Sequence, residues 1–376
     1  MCQFADMPIC QCNKHYILNQ ITDNRYTNKP KHSTNMKVQL YTQFNQLQNR
    51  SQHSDFQDFV QKHPRGNFFQ SAACFAFLES TQDNKPFLLI AQNEKNQIIG
   101  SLLGVFQSNG NGLKSWFSRR LIVWGGPLIG ETENAEKVAA LLLQELKKYA
   151  AGRAIFAEFR NSFDTSSLQK TFADAGFIYK SHLNYLVTTD NEVSVKKRLS
   201  SNRLRQIKSS LKEGAVIAEA DSEMDVIAFY HILEQLYREK VKKPLVGLDF
   251  FIKFWQTNIG KFFIIRYNDQ VVGGIVCPIF ANKVIYEWYV CGEDGVAKNV
   301  HPSVLATWAP IEYGLKNGFT HFDFMGAGKP EEDYGVREFK ARFGGEEVQF
   351  GRYSLVLNKS LYKVGTLGLK LYHQIK

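Results

Sequence analysis

The sequence predicts an α/β chain (α+β, mixed sheets) of two tandem lobes, each a mixed β-sheet flanked by helices, and three observations predict it. Strand-like and helix-like segments alternate along most of the chain, the pattern of a layered architecture. The alternation occurs twice at an offset of about 170 residues, as a duplicated unit would. With 376 residues, 44% hydrophobic and 13% aromatic, the chain is long enough to bury two cores of roughly 150 residues each.

Residues 1–35 are polar, rich in Asn and Lys and without periodicity, and are read as a disordered leader. The first lobe, residues 36–190, opens with Lys37-Val38-Gln39-Leu40-Tyr41. An apolar run from Pro86 to Ala91 passes through polar Gln92–Gln97 into Ile98-Ile99-Gly100-Ser101-Leu102-Leu103, a hairpin pattern. A helix over about 134–150, a strand from Ala154 to Phe159 and a cluster of Phe172, Gly176 and Phe177 follow.

The second lobe, residues 191–358, opens on a cationic segment with Lys196, Lys197, Arg198, Arg203, Arg205, Lys208 and Lys212. Leu204, Ile207 and Leu211 lie on another face at helical spacing, so this segment reads as an amphipathic helix. Helices over about 223–240 and 248–258 precede a second hairpin, Lys261–Tyr267 and Val271–Val276 joined by Asn268-Asp269-Gln270. The next helix is well signalled: Pro302 suits its first turn, Val304, Trp308, Ile311 and Leu315 form one stripe, and Gly318 lies just past the end. A strand from His321 to Phe324 and a cluster of Phe339, Phe343 and Gly344 complete the repeat. Residues 359–376 read as a C-terminal amphipathic helix, with Val364, Leu367, Leu371 and Ile375 on one stripe. Packing against the protein is its preferred reading, contact with an anionic membrane the other.

The net charge of +10 and a pI near 9.1 favour an anionic partner such as RNA, a phosphorylated small molecule or an anionic membrane surface. No run of about 18 uncharged apolar residues occurs, and the first 35 residues lack the apolar stretch of a secretory signal. The expected location is cytoplasmic, with peripheral contact at the inner face of the membrane as its extension. The 6 cysteines form no disulfide framework, and Cys10 and Cys12 have no second pair at metal-site spacing, so neither disulfides nor a metal are expected.

The most specific stretch runs His301-Pro302-Ser303, a helix, Gly318-Phe319-Thr320-His321-Phe322-Asp323-Phe324-Met325-Gly326, then Tyr334-Gly335-Val336-Arg337-Glu338-Phe339-Lys340-Ala341-Arg342-Phe343-Gly344-Gly345. Together with the upstream Asn67-Phe68-Phe69-Gln70-Ser71, it resembles the FemAB family over residues 37–358. The resemblance implies two GNAT-like lobes with substrates in clefts beside the sheets. It implies transfer of an amino acid from aminoacyl-tRNA, a co-substrate with no separate cofactor, to an amine of a muropeptide or lipid-linked peptidoglycan precursor. Relatives of this fold use acyl-CoA instead, which leaves an N-acyltransferase acting on another amine as the alternative, and a non-catalytic RNA- or membrane-binding relative as the third. The long helical arm of some family members has no counterpart in this sequence.

Amide formation of this kind needs an amine to lose a proton, attack an activated carbonyl, and have the developing oxyanion stabilised. Two candidates are assigned to catalysis. By the resemblance Lys340 matches a lysine at the active cleft, where a cation meets substrate phosphate or carbonyl charge, and its replacement by alanine is expected to leave the fold intact while lowering transfer by orders of magnitude; the bland reading is a solvated lysine after a core Phe. Asp323, between Phe322 and Phe324, faces away from both aromatics and is placed to orient or deprotonate the amine, with a structural hydrogen-bonding role as the alternative. The substrate-binding candidates are Arg203 and Arg205, as guanidinium forks; Tyr286 and Tyr289, as phenols or as core; Ser303, Gly326, Phe339 and Gly344 within the motif; and Tyr334 and Arg337 beside the loop after Gly326.

Two phosphate-binding readings fail. Gly326-Ala327-Gly328-Lys329 is too short for a phosphate loop and is followed by Pro330. Neither that stretch nor Gly125-Gly126-Pro127 is a Gly-rich turn entering a helix of the kind that binds the pyrophosphate of coenzyme A.

Overall fold

The computed structural model describes residues 36–47, 50–108, 112–132 and 134–364. The proposed leader and most of the C-terminal stripe lie outside these residues, as do Cys2, Cys10 and Cys12; residues 359–364 are helical. Seven strands come first in the chain: β1 (Lys37–Tyr41), β2 (Asn84–Gln92), β3 (Ile98–Gln107), β4 (Arg120–Trp124), β5 (Leu128–Ile129), β6 (Phe156–Arg160) and β7 (Ile178–Lys180). Then follow β8 (Asn184–Thr188), β9 (Val216–Glu219), β10 (Gly260–Tyr267), β11 (Gln270–Phe280), β12 (Val284–Tyr286), β13 (Tyr289–Gly292), β14 (His321–Asp323), β15 (Glu346–Val348) and β16 (Arg352–Val356).

These strands form two sheets of one design. The first runs β1-β2-β3-β4-β6-β16-β7 with β5 also on β3; the second runs β9-β10-β11-β12-β14-β8-β15 with β13 also on β11. Each has one parallel pair, β4 with β6 and β12 with β14, as a helical crossover connection requires. The duplication read from the sequence is therefore real, down to the two predicted hairpins.

The sheets also exchange strands. β8 leaves the first half of the chain to sit between β14 and β15, and β16 returns from the second half to sit between β6 and β7. Sheet membership thus does not follow the boundary at residue 190, although the order of elements does. The connectors 181–183 and 349–351 both cross between the lobes, which brings their residues together at one place.

Helices α1 (Arg50–Lys62), α2 (Ala72–Ser80), α3 (Gly112–Ser118), α4 (Ala135–Ala150) and α5 (Gln169–Asp174) belong to the first half. The second half contributes α6 (Glu192–Arg198), α7 (Ser201–Lys212), α8 (Glu223–Leu236), α9 (Leu248–Gln256), α10 (Pro302–Asn317) and α11 (Gly335–Ala341). The single cationic helix expected around residues 196–212 is two helices. Leu199 leaves helical geometry, and the Ser200 side chain accepts from the Arg203 N–H to cap a new helix, because a serine oxygen satisfies a first-turn donor that would otherwise be orphaned. α10 begins at Pro302 and ends at Gly318 with φ +71°, as its signals require.

One core lies between the lobes and contains side chains of α1, α2, α8 and α9 with one face of each sheet. Its centre is Trp288, whose ring meets Phe68, Phe69, Phe77, Phe250 and Phe254 at centroid separations of 4.9–6.1 Å. Burying each such aromatic contributes about 1.5–3 kcal/mol, so the lobes are held together by an apolar face that neither can satisfy alone. No helix among the described residues is long and apolar enough to cross a membrane.

Candidate active site

Each sheet opens where its third strand changes partner. In the first, β3 pairs with β4 at residues 105–107 and with β5 at 100–101, leaving the strands apart around Leu103. The fully buried Gln70 amide fills that gap. It donates to the Leu103 and Trp124 carbonyls at 3.0 and 2.8 Å and accepts from the Leu103 N–H at 2.8 Å, supplying the ladder bonds that the divergence removes. Asn67 donates to the Gly125 carbonyl at 2.6 Å. In the second sheet β11 changes from β12 to β13 around Glu287, whose N–H bonds the Asp323 carbonyl at 2.9 Å.

Between the lobes lies a narrow cleft with about 30 Å³ of internal space, lined among others by Trp124, Arg160, Asn161, His182, Asn184, Asp323, Gly326 and Arg352. Asp323 ends β14 and is 2% exposed. Its Oδ1 accepts from Asn184 Nδ2 at 2.7 Å and from the Met325 N–H at 2.6 Å, and the Asn184 Oδ1 in turn accepts from the Gly326 N–H at 2.7 Å. Burial pushes the Asp323 carboxyl up to about 6, against the opposing pull of those donors and of Lys340. A carboxyl held in this way can accept a proton near neutral pH.

The opposite wall is cationic. Arg160 Nε donates to Glu158 Oε1 at 2.7 Å, and Arg352 Nη1 lies 3.6 Å from the same oxygen. Burial favours the neutral Glu158 acid, but the two guanidiniums prevail and hold the carboxyl below its usual value. Arg352 Nη2 donates to His182 Nε2 at 2.7 Å. Burial, then the charges of Arg352 and Arg160, pull the His182 imidazole down to about 2, so it stays neutral.

The structure distributes the predicted residues unevenly. Asp323 and Gly326 line the cleft. Lys340 lies behind it, 2% exposed, donating to the carbonyls of Phe324 and Gly326 at 2.8 and 2.7 Å and pairing with Glu287 Oε1 at 2.8 Å. Three oxygens thus meet the three N–H donors of its ammonium. This corrects the solvated reading and the expectation that its loss would spare the fold, and places Lys340 as a strut under the turn that follows Asp323.

Arg203 is also buried, stacked 4.2 Å from the Phe339 ring and 5.3 Å from that of Phe343, with Nη1 on Gln206; Arg205 is exposed and bonds Asn202. Tyr286 and Tyr289 belong to the interlobe core, which settles the choice between phenol and core for both. Arg337 donates to the carbonyls of Ala327, Lys329, Pro330 and Glu332 and clamps their loop, while the Tyr334 ring packs where a Cβ on Gly328 would lie 2.8 Å away. Gly344, at φ +75°, leaves room for the Arg198 carbonyl, which a Cβ would approach to 2.3 Å. Ser303, in the first turn of α10, gives its N–H to Asp294 at 3.1 Å.

Sequence reasoning missed Asn184, His182, Arg160, Arg352 and Glu287. The alternation Glu158-Phe159-Arg160 at a strand end was a signal for the last charged pair of β6; nothing local marks the others, because strand exchange brings Asn184, His182 and Arg352 to the cleft and packing sets Glu287 against Lys340.

Residues 199–340 match the sequence profile of the acetyltransferase (GNAT) domain. The second lobe is a GNAT acyltransferase domain. The whole chain shares its fold with tandem proteins of that type. FemX covers 83% of this chain and 98% of its own at 11% identity, with a TM-score of 0.61. L-PGS from Bacillus licheniformis covers 84% and 96% at 14% identity and 0.53, and a tandem GNAT protein from the clavulanic acid biosynthesis pathway 86% and 98% at 8% identity and 0.53. The FemAB-type, two-lobed GNAT architecture read from the motif is borne out at the level of fold. No curated protein matches the chain in sequence.

Proposed function

We propose that this acyltransferase moves an amino acid from aminoacyl-tRNA to an amine of a peptidoglycan precursor, with Asp323 as the base that receives the amine proton. The observation that carries the reading is the Asp323 carboxylate, held by Asn184 in the interlobe cleft with its pKa raised to about 6. The amine nitrogen attacks the ester carbonyl, its proton passes to Asp323, and as the tetrahedral adduct collapses and the C–O ester bond breaks that proton is delivered to the departing ribose oxygen, which leaves as the tRNA hydroxyl. The Lys340 ammonium, paired with Glu287, keeps the Phe324–Gly326 turn in place.

A tRNA donor is favoured over acyl-CoA by the start of α10. A pyrophosphate would need free N–H groups at a helix N-terminus, whereas the Ser303 N–H is taken by the Asp294 carboxylate and Glu293 stands beside it. The exposed Arg205, Lys208 and Lys212 of α7 provide a cationic surface for a polyanionic donor. FemX and L-PGS, similar in fold, are consistent neighbours for such a reading.

The test offers purified protein charged tRNA or a panel of acyl-CoA thioesters, with muropeptide precursors and simple amines as acceptors, and reads product mass. One added amino acid that depends on charged tRNA supports the reading; an acyl mass shift from coenzyme A replaces it with the alternative donor.

A further inference from the structure

The end of the first sheet far from the cleft has no part in the chemistry proposed above. β4 begins there at Arg120 and β6 at Phe156, which pair with each other, and β16 ends there with Val356 opposite Phe156. Backbone bonds tie the flanking segments together. The Ile155 N–H meets the Arg119 carbonyl at 2.9 Å, and the N–H groups of Leu357 and Asn358 meet the Ile155 carbonyl at 2.9 and 3.0 Å. The end of α3, the turn after α4 and the start of the terminal helix at residue 359 therefore share one surface.

That surface is built from chain without acids. Residues 95–130, 146–157 and 348–376 contain no Asp or Glu. Arg153 and Lys359 are exposed and Arg119 is half-buried. Among the described residues none of these three cations is in an ion pair. Arg119 donates to the Trp116 and Gly152 carbonyls at 3.2 and 3.3 Å, and Arg153 to the Tyr149 carbonyl at 2.9 Å. Such dipoles orient a guanidinium without cancelling its charge.

Apolar groups stand among the cations. Trp116 is 42% and Val364 54% exposed. Arg119 lies 5.1 Å over the Trp116 ring and Arg153 4.5 Å over that of Tyr149, while the Tyr362 ring meets Phe156 at 6.1 Å and fastens the terminal helix to the sheet. Indole at the level of lipid headgroups, with cations reaching their phosphates from apolar stems, is the arrangement that suits a bilayer interface. RNA is served less well: Arg119 covers one face of Trp116 on which a base would stack, and Val364 offers neither a hydrogen bond nor a ring.

We propose that this end of the first lobe docks on an anionic bilayer, with Trp116 and Val364 at headgroup level and Arg119, Arg153 and Lys359 on the lipid phosphates. The surface stands apart from the donor and acceptor reading. Trp124, Arg160 and Arg352 pair at the other end of the same strands and line the cleft, about 13 Å away at 3.3 Å per residue. Docking in this way leaves the cleft on the aqueous side.

The experiment is flotation of the full chain with vesicles of phosphatidylcholine alone or mixed with phosphatidylglycerol. Binding to the anionic vesicles should be about tenfold or more tighter. The combined variant Arg119→Gln, Arg153→Gln, Lys359→Gln should lose about fivefold per cation, whereas Arg119→Lys with Arg153→Lys keeps the charge and should bind as the wild type does. Brominated acyl chains in the anionic vesicles should quench wild-type tryptophan fluorescence more than that of Trp116→Phe, which decides the matter if the glutamine variant does not fold. Equal binding to both vesicles, undiminished binding by the glutamine variant or unchanged quenching in Trp116→Phe overturns the proposal. So does an equal loss of vesicle binding in the α7 variant Lys208→Gln, Lys212→Gln, the mark of unspecific charge. A fall in tRNA binding by the glutamine variant as large as its fall in vesicle binding would make the surface a nucleic-acid one instead.

Discussion

Lys340 Nζ lies 2.8 Å from Glu287 Oε1, and the two side chains are 3% and 4% exposed. The pair joins α11 to the point where β12 gives way to β13, and through the Phe324 and Gly326 carbonyls it fixes the turn that follows Asp323. Removing one partner leaves a buried charge uncompensated. Lys340→Met should therefore cost about 3–5 kcal/mol of stability and lower activity with it. The double variant Lys340→Met, Glu287→Gln should regain part of that loss. Denaturant unfolding of the two single variants and the double measures the coupling, and purely additive effects would contradict a direct ion pair.

Asp323→Asn keeps an oxygen for the Asn184 and Met325 donors while removing the base. Transfer should fall by about 10²–10⁴-fold with little change in unfolding temperature. In the wild type the rate should decline as pH drops through about 6, where the carboxylate takes up its proton. A pH–rate profile of Asp323→Asn that retains this limb would assign it to another group.

The same shift has a stability consequence of definite sign. Because the Asp323 pKa is higher in the folded chain than its ordinary value of 3.8, the folded state binds more protons between those limits. Its contribution favours folding fully below that ordinary value and is lost as pH rises through about 6. The wild type minus Asp323→Asn stability difference should therefore become less favourable from pH 4 to pH 7 in urea titrations, about one pH unit of rise costing up to about 1.4 kcal/mol.

Arg203 and Arg205 should separate cleanly. Arg203→Ala removes a cation stacked on Phe339 and Phe343 and should lower stability by about 1–2 kcal/mol. Arg205→Ala should leave the unfolding temperature unchanged and raise KM for charged tRNA, an effect that shrinks as salt is added. Steady-state kinetics at two ionic strengths, with a thermal melt, tests both.

Gln70→Leu should be costly for a side chain with no chemistry. It strips the buried Leu103 N–H and two carbonyls of their partners, at about 1–3 kcal/mol for each unsatisfied group. Calorimetry of the variant checks the sum, and wild-type stability would remove Gln70 as the filler of the open sheet.

The sequence by itself determined the local and repeating features: two hairpins, the helix from Pro302 to Asn317, and the duplicated order of elements. These follow from periodicity, capping and turn residues that lie within a few positions of one another, and Asp323 was found the same way, from strand alternation around two phenylalanines. What only the tertiary structure decided depends on contacts between distant segments. The exchange of β8 and β16 brings Asn184 to Asp323 and Arg352 to Glu158 across 139 and roughly 190 residues, and no local pattern encodes such a pairing. Lys340 shows the same limit from the other side. Its motif put it at the active cleft, but whether an ammonium meets substrate or a buried carboxylate is set by burial and by Glu287, and the balance between desolvation and ion pairing exists only once the sheets have packed.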